Sequence, residues 1–145
     1  KEAIEAGRKA FPQIHLTQKA LHEIPSDDTY DLVICNFVLH WVDRSHLVQS
    51  LCRIDALVQK GGTLVLGDFS PDCQQKRKYH HLADEEVYTY KQDYPAFFKA
   101  TGLYREIAVF TFDHDKQTCG YAPSEARGMC AALRKMEKEE YYILM

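Results

Sequence analysis

Apolar positions follow two different rhythms along this chain. In KEAIEAGRKAF, Ala3, Ile4, Gly7, Ala10 and Phe11 recur at helical spacing, and Pro12 ends the run. A helix is predicted there. QIHLT (13–17) reads as a short strand, and QKALHEIPSDDT as a loop marked by Pro25 and its Ser-Asp-Asp-Thr cluster. TYDLVICNFVL (29–39) is strongly apolar and β-prone at its start, the pattern of a strand buried on both faces. Leu47, Leu51, Ile54 and Val58 then repeat at helical spacing, with Ser45 as the predicted N-cap. Lys60, Gly61 and Gly62 end that helix, and TLVLGDF (63–69) is a second buried strand. Strand, helix and strand in this order predict a right-handed crossover.

Beyond Pro71 the character changes. DCQQKRKYHHLADEEVYTY is polar and Tyr-rich with some helical tendency, and YPAFFKATGL holds an amphipathic helix ending at Gly102. In YREIAVFTFDHD (104–115), Ile107, Val109 and Thr111 alternate against Ala108, Phe110 and Phe112, which is a strand pattern. ARGMCAALRKM (126–136) is ambiguous: its Ala, Leu and Lys favour helix, while a strand would pair antiparallel with 104–113. Alternating strands and helices predict an α/β sheet with helices on both faces. Ligands in such sheets sit beyond the carboxyl ends of the strands. The positions to watch are Thr17 to Leu21, Cys35 to Trp41 and Asp68 to Pro71.

Composition narrows the class. The 145 residues amount to about one domain. An apolar share of 46% and a charged share of 27% argue against a disordered tail or a coiled coil. No apolar run reaches the roughly 18 residues of a membrane span. The first eleven residues lack the apolar centre of a signal peptide. A formal net charge of −3 without a long basic run gives no nucleic-acid footprint. The five cysteines are odd in number and form no CxxC pair, so neither a zinc ribbon nor a disulfide framework is indicated. A reducing, cytoplasmic setting is the simplest reading.

IPSDDTYDLVICNFVLHWVDRSHLVQSLCRIDALVQKGGTLVLGDFSP resembles the second half of a class I S-adenosylmethionine-dependent methyltransferase. Tyr30, Asp31, Leu32 and Val33 match the family's aromatic-Asp-Leu-Val strand. Leu39, His40 and Trp41 match its Leu-His-Trp-like segment, Leu47 its helix, and Lys60, Gly61 and Gly62 its Lys-Gly-Gly turn. The tail resembles the family's closing antiparallel hairpin, which favours strand over helix for 126–136. Residues 70–102 fall in the family's variable substrate-side or lid region. The resemblance implies a Rossmann-like sheet of order 3-2-1-4-5-7-6, S-adenosylmethionine as cofactor and a small-molecule acceptor.

The departures from the family pattern are as informative. The seven glycines (7, 61, 62, 67, 102, 120 and 128) form no GxGxG, and the acid that holds the cofactor ribose has no counterpart. The resemblance therefore implies that 1–145 is a partial methyltransferase domain, truncated at the N-terminus and inactive alone. The two family strands without a counterpart would lie between 13–17 and 30–35. An exposed apolar edge on 30–35 is then expected, with poor stability, homodimerisation or strand swapping through it.

By the same resemblance, Cys35, Asn36 and Phe37 would line the methionine end of the cofactor. Ala20 and Leu21 would contact its adenine, where many relatives place an acid. Asn36 is polar inside an apolar run and needs a ligand or a strand-end partner. Phe37 is alternatively core. His40 is a candidate base or a backbone-bonded helix-entry residue, and Trp41 a cation–π partner for the sulfonium or a packing anchor. Asp68 is a candidate base or a turn residue. Tyr79, Tyr88, Tyr90 and Tyr94 form a lid or pack amphipathically. His80 and His81 with Asp84, Glu85 and Glu86 match no metal-site spacing and read as a solvated face, and Asp113, His114 and Asp115 read as a hairpin loop. Two other functions stay open: a nicotinamide-dependent oxidoreductase, and a non-catalytic methyltransferase-like interaction module.

Overall fold

The computed structural model describes residues 2–79, 81 and 84–137. Helix α1 (Glu2–Ala10) leads through a turn at Leu21–Glu23 into strand β1 (Tyr30–Asn36). A second turn at Leu39–Trp41 opens helix α2 (Arg44–Leu57), followed by strand β2 (Val58–Phe69). Strands β3 (Gln75–Lys78) and β4 (Tyr88–Lys91) precede helix α3 (Pro95–Ala100). Strands β5 (Tyr104–Asp113), β6 (Thr118–Cys119) and β7 (Arg127–Lys135) complete the order. None of the described helices is long and apolar enough to cross a membrane.

The main sheet runs β1-β2-β7-β5-β6. β1 and β2 are parallel, Cys35 standing beside Leu66 and Asn36 beside Gly67. β7 is antiparallel to both β2 and β5, which establishes strand rather than helix for 127–135. This is the 4-5-7-6 half of the expected sheet order. The core lies where α2 and α3 cover the sheet. Leu47, Leu51 and Ile54 of α2 and Phe98 of α3 meet Cys35, Leu64, Leu66, Ala131 and Leu133 from the strands. Each fully buried leucine here is worth about 1.5–3 kcal/mol of transfer free energy.

Four local expectations are corrected. Helix α2 ends at Leu57, so Val58, Lys60, Gly61 and Gly62 belong to β2 rather than closing the helix. Residues 13–17 form no strand. A strand needs a partner for its backbone groups, and no described strand flanks this segment. The α2 N-cap is Asp43 rather than Ser45: its carboxylate accepts from the Ser45 backbone N–H at 2.9 Å and from the Ser45 hydroxyl at 2.6 Å. The polar stretch after Pro71 is a two-stranded antiparallel sheet, not a helix. Tyr88, Thr89 and Tyr90 favour extended backbone.

β1 is an edge strand, and its apolar residues do not all point inward. Tyr30, Leu32 and Ile34 are 50%, 53% and 62% exposed, while Cys35 alone in the strand is buried. The anticipated open apolar edge is therefore present.

Candidate functional site

The parallel pair β1 and β2 ends in two loops lying side by side. Gly67 of β2 lets them close up. A Cβ at Gly67 would lie 2.1 Å from the Asn36 Oδ1, so the missing side chain leaves room for the Asn36 amide. The next residue, Phe37, has φ of +52° and donates its backbone N–H to the Gly67 carbonyl at 2.7 Å. Non-glycine residues in this left-handed region are uncommon and cost about 1–2 kcal/mol. The conformation turns the chain sharply off the sheet and brings the Phe37 ring 5.2 Å from that of Phe69.

His40 and Asp68, 28 residues apart, meet at this turn. His40 Nδ1 lies 2.8 Å from Asp68 Oδ1, and both residues are buried. The His40 backbone N–H donates to Asp68 Oδ2 at 3.2 Å, and the Phe69 N–H donates to Oδ1 at 2.8 Å. A carboxylate only accepts, so Nδ1 carries the proton and Nε2 is the ring's acceptor nitrogen. Asp68 thus fixes both the tautomer and the ring plane of His40.

A cavity of about 480 Å³ opens beside this pair. Phe37, Trp41, Phe69 and Tyr79 supply aromatic surface, with the Trp41 and Tyr79 rings edge-to-face at 4.7 Å. The β3–β4 hairpin closes one side with Arg77, Thr89 and Lys91. The loop after β5 closes another with His114 and Asp115. That loop is held by Asp113, whose Oδ1 accepts from the Asp115 and Lys116 backbone N–H groups, each at 3.0 Å. These bonds, led by Lys116, keep the Asp113 carboxyl below the usual carboxylate range.

Of the residues singled out from the sequence, Phe37, His40 and Trp41 line this cavity, Asp68 lies behind His40, and Asn36 sits at the adjoining strand end. Cys35 points the other way, into the core, where burial pushes its thiol up to about 12. Leu21 packs against that core as well, and neither it nor Ala20 lines the cavity.

The tyrosines divide. Tyr79 lines the cavity, whereas Tyr94 is fully buried. The Tyr94 hydroxyl accepts from Arg44 at 2.8 Å, lies 3.0 Å from the Leu39 carbonyl and also reaches the Tyr90 carbonyl. It pins the start of α3 beneath the Leu39–Trp41 turn. Tyr88 and Tyr90 stack under Lys76 and Arg44 instead. His80 lies outside the described residues, and among those described no group of three or more His, Cys, Asp or Glu is arranged to hold a metal ion. Phe69, within the stretch Asp68 to Pro71 marked from the sequence, lines the cavity too, whereas sequence reading missed Arg77, Lys91 and the cavity position of His114.

Residues 1–66 match the family model of a methyltransferase domain. No curated protein sequence matches the chain. Among solved structures it is similar to the Burkholderia thailandensis 1,6-didemethyltoxoflavin-N1-methyltransferase, with 14% identity and a TM-score of 0.67. That alignment covers 94% of this chain and 57% of that one, whose structure holds 1,6-didemethyltoxoflavin and S-adenosylhomocysteine. It is likewise similar to the N-methyltransferase NodS of Bradyrhizobium japonicum in complex with S-adenosylhomocysteine, with 13% identity and a TM-score of 0.60 over 93% of this chain and 62% of that one. A SAM-dependent methyltransferase of Methanosarcina mazei aligns with 11% identity and a TM-score of 0.66, over 94% of this chain and 79% of the other. The chain thus spans 57% and 62% of the lengths of the first two. Residues 1–66 thus match a methyltransferase domain, and the fold of the chain is that of the Rossmann-like class I methyltransferases.

Proposed function

We propose that the complete domain to which this chain corresponds transfers a methyl group from S-adenosylmethionine to a small-molecule acceptor. The observation that carries the proposal is the His40–Asp68 pair, buried at the ends of β1 and β2 beside an aromatic cavity in a methyltransferase fold. The donor set there fits the sulfonium and methionine end of the cofactor. Asn36 offers a polar amide, and Phe37 and Trp41 offer ring faces that attract a cation. When bound, the cofactor supplies an electrophilic methyl group on a sulfonium.

The chain's own residues then have separable tasks. Phe37 and Trp41 shape the cavity and keep water from the reacting atoms. Asn36, held against Gly67, orients the donor, and alignment is the main contribution this reaction needs. His40, with its tautomer set by Asp68, accepts a proton at Nε2 where the acceptor must lose one. Cys35 is unsuited to a nucleophilic role because its thiol stays protonated up to about 12.

The uncovered apolar residues of β1, Leu32 and Ile34, support a second part of the proposal: cofactor binding requires a glycine-rich strand and loop that this sequence does not contain. Calorimetric titration of S-adenosylhomocysteine tests both parts. It is run on this chain and on a form extended upstream by such a segment. Binding only by the extended form is expected. Binding by neither would overturn the methyltransferase reading in favour of a non-catalytic module, and binding by the 145-residue chain alone would overturn the placement of the cofactor.

A further inference from the structure

The β3–β4 hairpin sorts its charges by face. Gln75 stands opposite Lys91 and Arg77 opposite Thr89, while Lys76 stands opposite Tyr90 and Lys78 opposite Tyr88. Side chains alternate along a strand, so Arg77 and Lys91 share one face as diagonal neighbours. Lys76 belongs to the other face, where its ammonium lies 4.0 Å from the centre of the Tyr88 ring. Arg77, Thr89 and Lys91 of the first face line the cavity, and Lys78 reaches it from the strand end, whereas Lys76 does not line it.

Two cations side by side repel each other unless something neutralises them. Among the described residues neither Arg77 nor Lys91 forms an ion pair with a carboxylate. Lys91 instead lies with its ammonium 3.4 Å from the centre of the Phe69 ring, a contact that holds it over the cavity's aromatic wall. Burial, and then the charge of Arg77, push the Lys91 ammonium below its usual range, and Asp115 and Asp68 act only in the opposite sense. The acids on the cavity rim are Asp115, 3.2 Å from His114 Nδ1 and within electrostatic reach of Lys91, and Glu125 in the segment before β7. The hairpin therefore gives the cavity a cationic wall, and Asp115 and Glu125 are the acids elsewhere in its lining.

We infer that the acceptor is a planar molecule bearing an anionic group, a carboxylate or a phosphate, which Arg77 and Lys91 grip while Phe37, Phe69 and Trp41 hold its ring. Guanidinium and ammonium donors form charge-assisted hydrogen bonds to such oxygens, and the partly desolvated setting strengthens them. The aromatic surfaces favour a flat apolar body between them. This inference names the substrate class for the methyl-transfer reading and rests on it for the word acceptor. The anion site itself is defined by hairpin residues alone.

Trp41 is the one tryptophan in the sequence and lines the cavity, so its fluorescence reports occupancy directly. Benzoate, phenyl phosphate and neutral benzamide serve as probes, and S-adenosylhomocysteine binding is measured separately by calorimetry. At least one of the two anions is expected to bind about tenfold or more tightly than benzamide, a difference of about 1.4 kcal/mol. Comparison of the two anions tells carboxylate from phosphate. Arg77→Gln with Lys91→Met should abolish the preference, and Lys76→Met, on the opposite face, should retain it. A conservative Arg77→Lys should keep part of it. Equal binding of anion and amide, no binding of any probe, or a preference untouched by the double substitution would each overturn the inference. An anion preference, with S-adenosylhomocysteine bound neither by this chain nor by its upstream-extended form, would uphold the anion site while rejecting the methyl-transfer reading.

Discussion

The two flanks of β2 are built to different standards. On one side β7 runs antiparallel and buries Met129, Ala131 and Leu133. On the other, β1 runs parallel, buries Cys35 and leaves Tyr30, Leu32 and Ile34 exposed. The closed flank supplies stability. The open flank supplies the turn at Phe37 and, with the end of β2, the His40–Asp68 pair. Stability and chemistry thus meet at one strand, where Leu64 and Leu66 belong to the core and Gly67 and Asp68 to the site.

The comparison is broken most severely by matched truncations. Leu133→Ala removes a fully buried side chain from the closed flank and should cost about 2–5 kcal/mol in denaturant unfolding. Ile34→Ala on the open flank should cost less than about 0.5 kcal/mol. Equal losses would show that the flanks do not differ as described.

The pair formed by the open flank and the end of β2 ranks next. Asp68→Ala leaves His40 Nδ1 and two backbone N–H groups without their acceptor and should cost about 1–3 kcal/mol. Asp68→Asn should preserve more of that stability. Unchanged stability in Asp68→Ala would remove the pair from the architecture.

Cys35 offers a pH test. Burial, and secondarily the Asp68 charge, raise its thiol from 9.0 to about 12. A thiol raised by folding binds its proton more tightly in the native state. Its contribution is therefore complete below about pH 9 and is lost as the pH climbs from 9 towards 12. Stability should fall across that window, and Cys35→Ala should flatten the fall. At pH 8 a thiol reagent should modify the exposed Cys52, Cys73 and Cys119 well before Cys35. Early labelling of Cys35 in the folded protein would contradict its burial.

The smallest effect on stability sharpens the picture of the open edge. Ile34→Lys should alter unfolding by no more than about 0.5 kcal/mol while reducing self-association in sedimentation. An undiminished dimer would place any association elsewhere.

Much of this architecture was legible because buried strands and amphipathic helices announce themselves. The apolar run 29–39, the Leu47-Leu51-Ile54 spacing and the TLVLGDF run each became an element in the expected place. Residues 13–17 carry a strand's composition, yet a strand is a property of a pair, and its partner is not written in those five residues. The β3–β4 hairpin was hidden for a different reason. β3 is polar throughout and β4 alternates Tyr88 and Tyr90 with Thr89 and Lys91, so no hydrophobic period marks the hairpin.

The site shows the same division. The sequence pointed to both His40 and Asp68 because each follows a strand. Nothing local could join them: the contact depends on the parallel register that aligns Asn36 with Gly67. Arg77 and Lys91 were invisible as a pair because facing and register, not proximity in sequence, bring them to one surface.

Hydrogen–deuterium exchange on the upstream-extended protein, with and without saturating S-adenosylhomocysteine, tests the central claim most directly. The ends of β1 and β2 should gain protection together, concentrated at residues 35–41 and 67–70, with β7 unchanged. Cofactor binding that leaves both segments unprotected would contradict the assignment of this strand-end turn as the transfer site.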